Sequence, residues 1–138
     1  MFKAWVVQES GGSDSRSLAA WLKDPAQVNV PGDWNNYKKD LGLVKPAKRN
    51  EGTLEGNLKA GLAYLGRKGF SRSGKAPSLL PDRTFAGWAT ALSRYNGRTV
   101  NTANGKSYSQ NYSDRIIQRA AGITNGTETT IQLPVPHE

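Results

Sequence analysis

At 138 residues with no cysteine and one histidine, the chain suits one compact domain and excludes disulfides, thiolate chemistry and a His/Cys metal cluster. Hydrophobic residues reach only 36%, against 15 glycines, four tryptophans and five tyrosines, which implies a small core, broad loops and flat amphipathic rings. A formal charge of +8 implies a polyanionic partner (nucleic acid, anionic lipid or bacterial cell wall), and no stretch is long and apolar enough to span a membrane.

Phe2, Trp5, Val6 and Glu9 recur at i, i+3, i+4 and i+7, which predicts a helix over 2–9 with Gly11-Gly12 as its stop. This N-terminal run carries one Lys and ends in Gln8-Glu9, without the small-residue cleavage site of a signal peptide. Leu18–Leu22 reads as a short helix, and the stretch to Pro31 as a long shaped loop. Asp33 can cap a helix through Leu41, which Gly42 closes. Val44–Gly52 is a polar, basic loop. Thr53 can cap a helix with a Leu54, Leu58, Leu62, Leu65 stripe, ended by Gly66. Lys68–Pro81 is a basic Gly/Ser/Pro loop.

A further helix starts at Asp82 or Thr84, carries Phe85, Trp88, Ala89, Leu92 and Tyr95 at helical spacing, and ends at Gly97. Arg98–Gln110 is a polar loop with Asn104-Gly105 as its turn. Tyr112, Ile116 and Ala120 mark a last helix. The expectation is a mainly α domain of about five helices over residues 1–121, followed by an extended tail over 122–138.

Glu9 is the most informative residue. Its helical face is otherwise Phe2, Trp5 and Val6, so the carboxylate points toward the core side. It also sits in the last turn, where the helix dipole disfavours a second negative charge. Desolvation works the same way, and both raise the pKa toward what a glycosidic general acid needs near neutral pH. The competing reading is the frayed, solvated end of a helix.

Gln8-Glu9-Ser10-Gly11-Gly12 resembles the Glu-Ser motif of the soluble lytic transglycosylase and goose-type lysozyme superfamily. Further likeness follows in chain order. Gln27 and Pro31 match the end of that family's Gly-Leu-Met-Gln segment, whose Gly-Leu-Met part is absent here. Asn57, Ala60, Gly61, Tyr64 and Leu65 match its Asn–small–Tyr-Leu helix. Arg94-Tyr95-Asn96-Gly97 matches its Ala-Tyr-Asn-Gly except at Arg94, and Tyr112 with Ile116 matches a fifth feature.

The resemblance implies a lysozyme-like fold and cleavage between N-acetylmuramic acid and N-acetylglucosamine in peptidoglycan, with Glu9 as sole essential acid/base. It implies that Tyr95 donates its hydroxyl near Glu9, that Gln27 lines the cleft, and that Asn96 meets the substrate acetamide. Each has a structural alternative: core aromatic, loop-stabilising amide, helix cap. Ser10 orients Glu9 or caps backbone. Asn57 and Tyr64 read as structural. Asn29 stands where goose-type lysozymes often carry an acid, which favours the single-acid, anhydro-forming route. Were a second carboxylate used, Asp24, Asp14 and Asp33 are the candidates, with Asp24 first; each also reads as a turn residue or cap.

Lys38, Lys39, Lys45, Lys48, Arg49, Arg67, Lys68, Arg72 and Lys75 suit an anionic wall or a generic solvated surface. The expected partner is the peptidoglycan glycan strand, met by a monomer that needs no cofactor or metal and inserts in no membrane; an immunity or inhibitor protein is a further partner of such a domain. The target lies in the periplasm or wall, which implies delivery by a phage, a secretion system or a larger parent protein. Two other classes compete. A non-catalytic wall-glycan-binding module would keep the aromatics and charge without needing Glu9. A nucleic-acid-binding domain fits the charge, but no helix concentrates Arg/Lys with base-reading side chains.

Overall fold

The structure is a computed structural model that describes residues 1–70 and 84–124. Among these residues the domain is mainly α, as its periodicities predict. Six helices follow in order: α1 Phe2–Ser10, α2 Ser15–Lys23, α3 Asn36–Asp40, α4 Leu54–Phe70, α5 Trp88–Asn96 and α6 Tyr108–Thr124. A 3-10 turn, Pro31–Asp33, precedes α3. One isolated antiparallel bridge, Asn101 to Ser107, closes the turn before α6. No described helix is long and apolar enough to cross a membrane.

The helix ends follow local chemistry, with some shifts from the sequence reading. Asp14 caps α2, its carboxylate accepting from the Ser17 amide at 3.0 Å and the Ser17 hydroxyl at 2.9 Å. The cap of α3 is Asn35, whose Oδ1 accepts from the Lys38 amide at 3.3 Å; Asp33 is taken up in the preceding 3-10 turn. Thr53 caps α4 through the Gly56 amide at 3.1 Å. Gly66 does not stop that helix, because Leu65, Lys68 and Gly69 are buried around it and packing carries the helix on to Phe70.

Helix α5 starts only at Trp88, after Gly87 at φ 97°, which leaves Phe85 outside the helix with its ring against Phe70 and Trp88. Asp82, the other expected start, lies outside the described residues. Gly97 ends α5 in the left-handed conformation at φ 70°. Residues 122–124, expected as the start of a tail, continue α6; residues 125–138 and 71–83 lie outside the described residues.

Helix α5 packs between α4 and α6, and α1 packs on α6 and α2. The main core gathers Ala4 and Trp5 of α1, Ala26, Leu65, Ala91, Leu92, Tyr112 and Ile116. A second cluster holds Val28, Leu43, Ala60 and Tyr64, and Tyr95 packs against both. Two expected faces turn differently. In α1, Trp5 is fully buried, but Phe2 is exposed and meets Trp88 edge-on at 5.2 Å. In α4 the buried face is Asn57, Ala60, Gly61, Tyr64 and Leu65, while Leu54 and Leu62 face outward. Lys38 and Lys68 also leave the expected basic surface: both are buried, with their ammonium groups 5.2 Å and 5.1 Å from the Tyr64 ring centre. The ring's negative face offsets part of the lost hydration, and burial still lowers both ammonium pKa values, that of Lys68 to about 8.

Candidate active site

The site is built around the 24–29 turn, which the three flanking helices α1, α4 and α5 hold in place. Asp24 is fully buried, and its two carboxylate oxygens accept the amides of Val28 at 3.1 Å and Asn29 at 2.8 Å. Ser10, at the end of α1, donates its hydroxyl to the Pro25 carbonyl at 2.7 Å. Tyr95 of α5 donates to the Ala26 carbonyl at 2.7 Å while its ring meets Trp5 edge-on at 5.1 Å. Asn29 donates to the Glu51 carbonyl and to Asn57 Oδ1, and Asn57 in turn donates to the carbonyls of Lys23 and Glu51. A buried amide or carboxylate stays in place only when such bonds replace water, so these groups fix the turn's shape.

Glu9 stands in the last turn of α1, half-buried, where its Oε1 accepts the hydroxyl of Tyr112 from α6. Its pKa is raised from 4.5 to about 7. Burial is the main cause, the Tyr112 hydrogen bond opposes it, and the negative charges of Asp24 and Asp33 add to it. Tyr112 is itself buried, and its own pKa is raised by that burial and by the Glu9 charge; the Trp5 indole N–H, short of normal hydrogen-bond geometry, works the other way. The group is a carboxyl that holds its proton near neutrality beside a phenol that keeps its own.

Glu9 lines a cleft of about 530 Å³ together with Asp14, Arg16, Gln27, Arg49 and Asn50. The cleft is large enough for sugar rings and is walled mainly by polar groups. Gln27 has φ 53° and Asn50 φ 63°, and they are the non-glycine residues with positive φ among those described. Such a conformation costs a residue like Gln roughly 1–2 kcal/mol and Asn less, because a short polar side chain can bond locally there. The Gln27 amide is locked, donating to the Asp24 carbonyl at 2.9 Å and accepting from the Arg49 guanidinium at 3.0 Å.

The expected site residues thus divide. Glu9 and Gln27 share the cleft. Ser10, Asp24 and Asn29 are buried and do not line the cleft: Ser10 bonds backbone, as one of its two readings has it, Asn29 ties the turn to Glu51 and Asn57, and of the two readings of Asp24 the turn residue replaces the second carboxylate. Tyr95 is not the phenol on Glu9; that hydroxyl belongs to Tyr112. Asn96 accepts from the Arg98 amide at 3.1 Å, as a cap at the end of α5. Sequence reasoning missed Arg16 and Asn50 in the cleft. It placed Tyr112 on a buried stripe without giving its hydroxyl a role.

Comparison of the chain with protein-family models, with curated proteins and with solved structures finds no match.

Proposed function

We propose that this domain cleaves the bond between N-acetylmuramic acid and N-acetylglucosamine in peptidoglycan, with Glu9 as its acid and base. The observation that carries this reading is the Glu9 carboxyl: pKa about 7, bound by Tyr112, and facing a polar cleft of sugar-accommodating size. The order of motifs from Glu9-Ser10 to Tyr112 supports the same lysozyme-like assignment, as does the charge of +8 toward an anionic wall.

The protonated Glu9 donates to the bridging oxygen as the bond from the muramoyl C1 breaks. The resulting carboxylate then stabilises positive charge on the sugar ring and takes the proton of the muramoyl C6 hydroxyl. That oxygen bonds to C1, which closes a 1,6-anhydro ring and leaves Glu9 protonated for the next turnover. Tyr112 orients the carboxylate in both steps. The anhydro route is favoured over hydrolysis because the carboxylates that could activate water are committed elsewhere. Both Asp24 oxygens accept backbone amides out of solvent, Asp14 holds the start of α2, and Asp33 pairs with Lys38 and does not line the cleft.

Digestion of purified peptidoglycan, read by mass spectrometry, tests this. Anhydro-ended muropeptides are expected; reducing ends, heavier by one water, would move the assignment to a lysozyme. Wall binding without soluble products would turn the protein into a glycan-binding module.

A further inference from the structure

The same cleft carries two cations that glycosidic chemistry does not require. Arg16 projects from the first turn of α2 and Arg49 from the 43–53 loop, and both line the cleft with Glu9. Neither guanidinium forms an ion pair among the described residues. Arg49 is also aimed: its Nη1 donates to Gln27 Oε1 at 3.0 Å, and Gln27 holds φ 53° with its amide nitrogen tied to the Asp24 carbonyl. A strained, doubly bonded residue is thus used to present an arginine. The one opposing carboxylate that stays ionised in the cleft is Asp14, whose oxygens are occupied by Ser17.

The cleft lining thus sets two guanidiniums against one committed carboxylate, with the buried Asp24 charge acting on Arg49 from outside the lining, and the lining itself carries excess positive charge whenever Glu9 is protonated. A guanidinium presents paired N–H donors that match a carboxylate. We infer that Arg16 and Arg49 are specificity residues that select glycan strands bearing carboxylates beside the scissile bond. The inference rests on the cleavage reading above. The carboxylate has two sources in a wall glycan: the stem peptide, or the lactyl group once the peptide is removed. Gln27 then acts as a positioning residue for Arg49.

The test uses the full chain and four substrates: peptide-bearing strands, strands stripped of peptide by an amidase, and each of these after carbodiimide conversion of carboxylates to amides. The readout is kcat/KM at low salt for wild type, R16Q and R49Q, with Tm measured alongside. For wild type, amidation is expected to slow cleavage about tenfold, the effect of one charge-assisted hydrogen bond. In R16Q or R49Q the native and amidated rates converge, at a Tm close to wild type because both side chains are exposed. The pair of substrates in which they converge identifies the source of the carboxylate. A wild type that cuts native and amidated strands at one rate, or variants that keep the wild-type ratio, would overturn the inference and leave the cleavage reading standing. A wild type that cuts none of the four would instead overturn the cleavage reading and the inference with it.

Discussion

The hydroxyl of Tyr112 reaches the Glu9 carboxylate from 103 positions away in the chain, so the first and last described helices meet at the group proposed to do the chemistry. The bond stabilises the ionised form of Glu9, and burial disfavours it. Burial is the larger effect, and a proton therefore remains on Glu9 to about pH 7. A solvated glutamate would have lost it some two units lower. The balance decides how acidic the proposed catalyst is.

Tyr112→Phe removes the opposing influence and keeps the ring volume in the core. The Glu9 pKa is expected to rise further, and the alkaline limb of the kcat/KM profile to move up from its wild-type position near pH 7. Stability should fall by about 1 kcal/mol for the lost hydrogen bond. A pH–rate profile with an unmoved alkaline limb would show that Tyr112 serves packing alone.

Glu9→Gln keeps shape and hydrogen bonding but delivers no proton. Cleavage of purified peptidoglycan should fall by at least about 10²–10⁴-fold, the usual contribution of one general acid–base group. Binding to the wall should persist, measured by pull-down. Wild-type turbidity clearing by this variant would end the single-acid mechanism.

The same substitution gives a stability test that needs no substrate. Between pH 4.5 and about 7 the folded protein keeps a proton on Glu9 that the unfolded chain has released. Stability must then fall as pH rises through that window, since the folded state binds more protons. At about 1.4 kcal/mol per unit, the loss is at most about 3.5 kcal/mol. The amide of the Glu9→Gln variant does not titrate, so the variant should match wild type below pH 4.5 and exceed it above pH 7. Urea unfolding at pH 4.5 and pH 8 measures the difference; a variant less stable than wild type at pH 8 contradicts the raised pKa.

Glu9 was legible because two local signals agree there: helical spacing up to it and Gly11-Gly12 after it. Helix order was legible for the same reason. Which tyrosine meets Glu9 was not. Tyr95 and Tyr112 both lie on buried stripes of neighbouring helices, and periodicity puts a ring in the core without saying which acceptor its hydroxyl reaches. That depends on how α5 and α6 cross α1, a property of packing. The two readings of Asp24, second carboxylate and turn residue, could not be separated for a related reason. An acid beside a proline turn looks like an available carboxylate until the fold turns two amides onto it. Neither Arg16 nor Arg49 carried a spacing signal: Arg49 stood as one of several basic surface residues, and Arg16 was missed.

Two carboxylate variants separate the catalytic routes. Asp24→Asn replaces one of two buried acceptors with a donor facing a backbone amide, so it should cost on the order of 2–3 kcal/mol and lose activity through folding. It is therefore a poor probe of mechanism. Asp14→Asn keeps the helix cap, because Asn and Asp cap about equally well, and removes the second carboxylate that lines the cleft. Cleavage within about threefold of wild type is expected for the anhydro route. A loss comparable to that of Glu9→Gln would mean that Asp14 activates water.

One substitution made twice in α4 should change stability in opposite directions and tie the turn to the site. At Gly66 an added Cβ would meet nothing within 4 Å, so Gly66→Ala should stabilise by roughly 0.5–1 kcal/mol through helix propensity alone. At Gly61 the same atom would lie 2.9 Å from the Ala26 Cβ and 3.4 Å from Trp5 Cη2. The Ala26 methyl has no rotamer to escape into, so the 24–29 turn itself must move. Overpacking of this kind costs about 1–3 kcal/mol, which outweighs the propensity gain. Gly61→Ala should therefore lower Tm while Gly66→Ala raises it. A turn pushed off α4 also carries Gln27, and with it Arg49, out of register with Glu9. Activity should fall in Gly61→Ala at temperatures where the protein is still folded, and stay at wild-type level in Gly66→Ala. Thermal melts and wall-clearing rates measured on both variants check this, and equal activity in the two would mean that the turn does not position the cleft.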